Sequence, residues 1–204
     1  MNWFLRTLQN KKLAVATRLF LGAILFGAGM SKLYAEHAFP GIIGPVWLEE
    51  RLAEYGLAFF ARFVAFSQVI AGLLLLTQRF ATLGAVISFP LFLNILMITI
   101  SLEWQGTPYV NAVFLAMNTY LLAFDYHKLK YLILDGRANT DTKPRTDQVG
   151  DLVWLMGLVM IVLSIAISFL SISLAWSTAA AGLAIIAWNQ IFRKKVKREE
   201  TSSN

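Results

Sequence analysis

Two basic residues lie inside the first long apolar stretch of the chain and are the first candidates for binding chemistry. Arg18 and Lys32 are spaced so that they share one face of a helix, with Gly22 and Gly29 between them. They could anchor anions or lipid headgroups at the two ends of a central cleft. Alternatively, their long side chains could extend to the two membrane interfaces.

Three amide side chains form a second candidate group. Gln68, Asn94 and Asn118 fall near the middle of the next three apolar stretches. At similar depths they could line one polar pocket with Arg18 and Lys32, as a ligand-binding set. They could equally form hydrogen bonds between helices, which are usually worth about 1 kcal/mol or less each in a membrane.

A third group borders the apolar stretches and could titrate or hold a metal ion. Glu36, His37 and Glu103 have the right side chains, but their spacing matches no ligand motif. The chain has no cysteine, which excludes iron–sulfur clusters, dithiol redox motifs and thiolate zinc sites. No acidic residue lies deep in an apolar stretch, which argues against a carboxylate-based proton pump or ion-coupled transporter. We therefore expect no catalytic residue set and no metal centre.

These residues must be positioned by membrane-spanning helices, each of which needs about 20 mostly apolar residues. Four such stretches occur in the first two thirds of the chain, at residues 13–33, 57–77, 80–102 and, in a shorter form, 110–124. Residues 152–192 carry no charge and are long enough for two helices. A turn in the serine-rich residues 168–177 would leave helices near 152–170 and 175–192. The sequence thus predicts six spans.

Composition and charge agree with an integral membrane protein. The chain is 57% hydrophobic and 15% charged, against about 25% charged residues in globular proteins. The net charge of +6 has a simple cause in the cytoplasmic bias of lysine and arginine, so we expect no nucleic-acid partner. Six spans place most basic residues and both termini in the cytoplasm. We therefore expect a multi-pass protein of the cell (inner) membrane.

The polar segments complete the predicted organisation. The expected parts are an interfacial segment on the cytoplasmic side (1–12), a four-helix membrane domain (13–135), a cytoplasmic linker (136–151), a transmembrane hairpin (152–192) and a basic cytoplasmic tail (193–204). Between the first two spans, Leu48, Leu52 and Tyr55 recur at helical spacing. They predict an amphipathic helix that rests on the outer membrane surface.

Three stretches resemble the DoxX-like family of small membrane proteins. They read RLFLGAILFGAGMSKL at 18–33, SQVIAGLLLLTQRFATLGAVI at 67–87 and NAVFLAMNTYLLAFDYHKL at 111–129. The resemblance covers about residues 14–130 and implies a four-helix DoxX-like bundle. The fold class expected is thus an all-α integral membrane protein, this bundle plus two additional C-terminal transmembrane helices. Many family members carry a glutamate where this chain has Gln68, which weakens any inherited acid–base role.

The resemblance also implies a link to membrane redox systems. It favours an accessory or quinone-proximal subunit of a redox-associated complex, with no metal or thiol centre of its own and with quinone as the candidate cofactor. One alternative is a non-catalytic membrane scaffold or chaperone. Small-residue faces such as 179–182 would then pack against a membrane protein partner or a second copy of the chain. Another is a binder or carrier of a lipid or other lipophilic molecule.

Overall fold

A computed structural model describes residues 10–41, 48–133 and 148–202, with side chains throughout except at 131–133, 148–149 and 193–202. In these ranges the chain forms helices and no strand. The long helices are α1 (Lys11–Leu33), α3 (Ala58–Leu76), α4 (Ala81–Ser101), α5 (Thr107–Phe124), α7 (Gln148–Ser168) and α8 (Ile172–Ser202). The short elements are a 3-10 turn (Ala35–His37), α2 (Leu48–Ala53) and α6 (Tyr126–Ile133).

Five of the described helices are long and apolar enough to cross a membrane. They are α1, α3, α4, the Gly150–Ser168 part of α7 and the Ile172–Phe192 part of α8. This confirms an all-α, multi-pass membrane protein. Helix α5, the expected fourth span, is not among the five. It has only 18 residues, and Pro108, Asn111 and Asn118 lower its hydropathy.

The long uncharged stretch near the C-terminus is split as expected. Helix α7 ends at Ser168 and α8 begins at Ile172, so the break falls inside the serine-rich segment. Ser164 and Ser168 turn their hydroxyls back onto carbonyl oxygens of their own helix, which satisfies these polar groups in apolar surroundings. The apolar span within α8 ends at Phe192, as predicted from the sequence, and the helix itself continues to Ser202.

The chain divides into two compact units. Among the described residues, the first contains 10–32, 39–41 and 48–133, and the second contains 33–38 and 148–202. The second unit is thus a hairpin of α7 and α8 together with the six residues at and after the end of α1. Of the polar segments predicted from the sequence, residues 1–9, 134–147 and 203–204 lie outside the described residues.

In the first unit, α1 and α3 approach each other through glycines. A β-carbon added at Gly72 would lie 2.5 Å from the backbone nitrogen of Phe26, and one at Gly29 would lie 2.6 Å from the carbonyl oxygen of Ala65. Gly22 meets Gly72 and Leu76 in the same way. Small residues allow such close backbone contact between membrane helices. The glycines of α1 are therefore used inside the unit.

Aromatic side chains join the other two long helices to this pair. Phe114 of α5 packs edge-on against Phe20 of α1, with ring centroids 6.0 Å apart, and its ring is tilted against that of Phe92 of α4 at 5.8 Å. Helix α4 also packs on α3 and α5, and Gly84 gives it close access to Leu74 and Leu75. The buried core is made of aliphatic and aromatic residues from all four helices. The four long helices thus surround one interior.

Helix α2 does not lie on a membrane surface with its apolar face in lipid. Leu48 and Leu52 are buried in a cluster with Ala61 of α3, next to Ile98 and Trp104. Tyr55, expected on the same face, is instead exposed, because the helix ends at Ala53 and Gly56 turns the chain at a φ of 73°. Helix α2 therefore closes one end of the first unit.

The second unit is held by a glycine contact and a buried hydroxyl. Gly157 of α7 faces Gly182 of α8, where a β-carbon would lie 2.9 Å from the opposing carbonyl oxygen. The Tyr34 hydroxyl lies 2.8 Å from Oγ of Ser164 and 3.2 Å from the carbonyl oxygen of Ala175. The Ala35 amide donates to Oγ of Ser168. These bonds explain why residues 33–38 belong with the hairpin.

Candidate functional site

The first unit contains a cavity of about 340 Å³. It lies at the end of the unit where α1 and α4 finish and α3 and α5 begin, and α2 contributes Leu48 and Leu52 to its wall. Most of the wall is apolar, including Ile24, Val64 and Phe92. Cavities of roughly 300 Å³ or more with a few placed polar groups are typical small-molecule sites.

Lys32 provides the only charge on the described wall of this cavity. Its ammonium group donates to Oε1 of Gln68 at 3.2 Å and to the carbonyl oxygen of Ala28 at 3.1 Å. The contact with Ala28, one turn earlier, shows that the side chain turns back along α1 instead of extending past the helix end. Two of the predicted ligand-binding residues, Lys32 and Gln68, are thereby brought together.

Arg18 belongs to a different site. Its guanidinium forms an ion pair with Asp125 at 2.6 Å and lies 5.5 Å from the ring centroid of Phe124. Asp125 is fully buried and also accepts hydrogen bonds from Thr82 and Lys128. The structure therefore does not place Arg18 and Lys32 in one cavity, because Arg18 pairs with Asp125 and is not among the residues that line the cavity beside Lys32.

The surroundings of Asp125 favour its charged form. Burial alone raises the pKa of this carboxyl, but the Lys128 hydrogen bond, the Arg18 charge and the Thr82 hydrogen bond together hold it below its ordinary value of 3.8. Asp125 was not predicted as a site residue, because it directly follows an apolar stretch and looks like the start of a polar loop. A useful signal was its spacing: Asn111, Asn118 and Asp125 recur every seven residues on one helix face.

The other two amides do not join the cavity wall. Asn94 is exposed on the outer side of α4. Asn118 is fully buried, and neither its amide nitrogen nor its oxygen has a hydrogen-bond partner among the described residues. Asn111, one of the cavity-lining residues, donates its side-chain amide to the carbonyl oxygen of Thr107. The predicted pocket of three amides at one depth is therefore not formed.

We expect Asn118→Leu to raise the free energy of unfolding by about 1–2 kcal/mol, because it replaces an unpaired buried amide by an apolar side chain of similar size. Chemical unfolding followed by circular dichroism measures the change. Asn94→Leu is the matched control, and there we expect a change below about 0.5 kcal/mol because the side chain is exposed. A clear loss of stability in Asn118→Leu would contradict the interpretation that this amide is unpaired.

The polar residues proposed as a metal cluster fall in exposed turns of two different units. Glu36 and His37 are exposed in the 3-10 turn of the second unit, and Glu103 is exposed after α4 in the first unit. In the described ranges, no group of three or more His, Asp or Glu side chains could hold a metal ion. All three residues have a φ near 55°, a left-handed conformation that marks tight turns.

Several cavity residues were missed because their positions depend on tertiary packing. Thr99, Trp104 and Thr107 come from the α4–α5 connection and the helix ends beside it. There the sequence periodicity does not indicate which side chains face the interior.

The small-residue face at 179–182 was predicted to pack against a membrane protein partner or a second copy of the chain. Gly182 lies against α7 of the same chain, and Ala179 is buried, so this face is largely used within the hairpin.

The cavity wall combines apolar side chains with a few polar groups. Its described polar groups are one ammonium, amides, hydroxyls and an indole, and none of its lining residues is acidic or a histidine. This donor set can orient a hydrogen-bond acceptor or an anion in apolar surroundings.

In comparisons of the whole chain with models of protein families, with curated proteins and with solved structures, no match was found.

Proposed function

We propose that the first unit binds a lipophilic small molecule within the membrane, and that the chain acts as a binder or carrier without catalytic activity of its own. The single observation that supports this most is the apolar cavity with one buried polar corner. An apolar wall gains free energy by covering an apolar ligand, at roughly 25 cal/mol per Å² of surface removed from water. The Lys32–Gln68 pair then orients the ligand's polar end.

We also propose that the chain spans the membrane six times, with α5 as the fourth span. Support comes from the packing of α5, which contributes Phe114 to the same buried core as the α4 and α1 side chains. An even number of spans also leaves both basic terminal segments on the cytoplasmic side, as the distribution of lysine and arginine favours.

We expect Val64→Phe to reduce binding of a neutral lipophile by at least tenfold, because Val64 lines the cavity and the larger ring fills it. The measurement is saturable binding of radiolabelled decanol to the protein in phosphatidylcholine nanodiscs, after subtraction of protein-free nanodiscs. Val113→Phe is the matched control, since Val113 is 57% exposed on α5 and lines no part of the cavity. Equal decanol binding by the wild type and both variants would refute cavity binding.

A second candidate is a quinone-proximal subunit of a redox-associated complex. It is favoured by the resemblance to the DoxX-like family and by the ammonium of Lys32, which can donate a hydrogen bond to a quinone carbonyl. In this case decylubiquinone should bind more tightly than decanol in the same nanodisc assay and should lose that advantage in Lys32→Met, which removes the donor. If decanol binds and decylubiquinone does not, the result supports the carrier function and contradicts the quinone-proximal function.

A further inference from the structure

The two partly buried cations of α1 have different partners. Arg18 has a carboxylate at 2.6 Å, and that carboxylate has two further donors. Lys32, in contrast, has only neutral partners, a side-chain amide and a backbone carbonyl, and no carboxylate lies within ion-pair distance in the part of the chain that the structure describes. A cation without a counter-charge is costly in apolar surroundings.

The ammonium group also retains binding capacity. A lysine ammonium has three N–H donors, and Gln68 and Ala28 use two of them. The third donor belongs to a side chain that lines the cavity. The side chain of Lys32 turns back along α1 and does not extend past the helix end. Its ammonium group therefore stays at the cavity, whose other lining residues include the apolar Ile24, Val64 and Phe92.

On these grounds, and resting on the proposed function, we infer that the natural ligand is a single-chain amphiphile with one carboxylate, which pairs with Lys32 while its alkyl chain fills the cavity. A carboxylate supplies one negative charge for one uncompensated positive charge. A phosphate monoester carries about −1.5 to −2 charges at pH 7 and would leave an unpaired buried negative charge. The volume of about 340 Å³ is at the small end of ligand pockets, which favours one chain over two.

The test compares three probes with the same alkyl chain: decanoate, decanol and decyl phosphate. Each is titrated onto wild-type protein in phosphatidylcholine nanodiscs at neutral pH, with protein-free nanodiscs subtracted. We expect decanoate to bind at least tenfold more tightly than either other probe. If decanol or decyl phosphate binds as tightly as decanoate, the inference is overturned.

The variant that isolates the charge is Lys32→Met, which keeps an unbranched apolar stem. We expect it to weaken decanoate binding at least tenfold and decanol binding by a clearly smaller factor, because decanol loses only a hydrogen-bond donor whereas decanoate loses its counter-charge as well, and Lys32→Arg keeps the preference for decanoate. Lys12→Met, on the exposed start of α1, is the matched control with wild-type binding of all probes. Unchanged decanoate binding in Lys32→Met overturns the inference.

The outcomes also separate this inference from the function on which it rests. If decanol and decanoate bind equally and both are lost in Val64→Phe, the cavity binds lipophiles but does not select a carboxylate. If no probe binds wild-type protein above protein-free nanodiscs, the proposed function fails together with the inference. Should Lys32→Met fail to fold, the comparison of the three probes on wild-type protein still decides.

Discussion

Asp125→Asn is expected to lower the free energy of unfolding by about 3 kcal/mol, because it leaves the guanidinium of Arg18 buried without a counter-charge. The side chain of Arg18 is 11% exposed, and its Nε already lacks a hydrogen-bond partner among the described residues. The substitution also replaces one of the two carboxylate oxygens by an NH2 group, so either Thr82, which bonds to Oδ2, or Lys128, which bonds to Oδ1, loses its acceptor. Chemical unfolding in detergent micelles, followed by circular dichroism, measures the effect.

Two further variants test the cause of this loss. Glu50→Gln makes the same chemical change at an exposed position and should alter stability by less than about 0.5 kcal/mol. The double variant Arg18→Met with Asp125→Leu removes both charges, and we expect it to recover most of the stability, since apolar pairs often replace buried ion pairs without loss. If the double variant is less stable than Asp125→Asn alone, the unpaired charge of Arg18 is not the cause of the lost stability.

The pH dependence of stability provides an independent check on Asp125. Because its pKa is lower in the folded protein than its ordinary value of 3.8, the carboxylate contributes stability above that pH. This contribution is lost as the pH falls from about 3.8 through the folded-state pKa. The difference in stability between wild type and Asp125→Asn should therefore be constant near neutral pH and shrink only below about pH 4. A difference that shrinks between pH 7 and pH 5 would point to another group.

Gly72→Ala is the second substitution with a large expected effect, a loss of about 3 kcal/mol. Alanine is the better helix former by about 1 kcal/mol, so helix propensity alone predicts a gain. The added β-carbon, however, would lie 2.5 Å from the Phe26 nitrogen and 2.9 Å from the Gly22 carbonyl oxygen. Both contacts are with backbone, so α1 and α3 must move apart to accommodate the methyl group. The thermal unfolding midpoint of the purified variant reports the change.

The control for Gly72→Ala is Ala116→Val, which enlarges a residue on the exposed side of α5 and should leave the unfolding midpoint within a few degrees of wild type. Decanol binding provides a second measurement, because Gly22 and Phe26 lie on the same helix as the cavity residues Ile24 and Ala28. We expect Gly72→Ala to weaken decanol binding. If Gly72→Ala were as stable as wild type, close packing of α1 on α3 through this glycine would be refuted.

The helices themselves were largely predictable from the sequence. Runs of apolar residues bounded by charges and glycines located α1, α3 and α4 to within a few residues, and the serines near 170 located the turn of the hairpin. Such features are local, because an apolar helix in a membrane must satisfy its own backbone hydrogen bonds whatever its neighbours are. The apolar face of α2 was also identified, but not its position, since leucines pack equally well against lipid and against protein.

The candidate site was only half predictable, for a related reason. Lys32 and Gln68 stand out as polar residues in apolar surroundings, and the structure joins them. Asn94 stands out equally, yet it faces away from the interior, because the depth of a residue along a helix says nothing about its rotation around the axis. Asp125 was missed since its partners Arg18 and Thr82 come from two distant helices, and only the packed bundle brings their charges and dipoles together.

The hydrogen bond of Tyr34 has a consequence for how the protein is made. Its partner Ser164 lies 130 residues further along the chain, so the two groups meet only after α7 has been synthesised. Until the hairpin is inserted, the Tyr34 hydroxyl and the Ala35 amide lack these partners. This corner of the second unit therefore cannot form until α7 and α8 are in place, long after α1 has been synthesised.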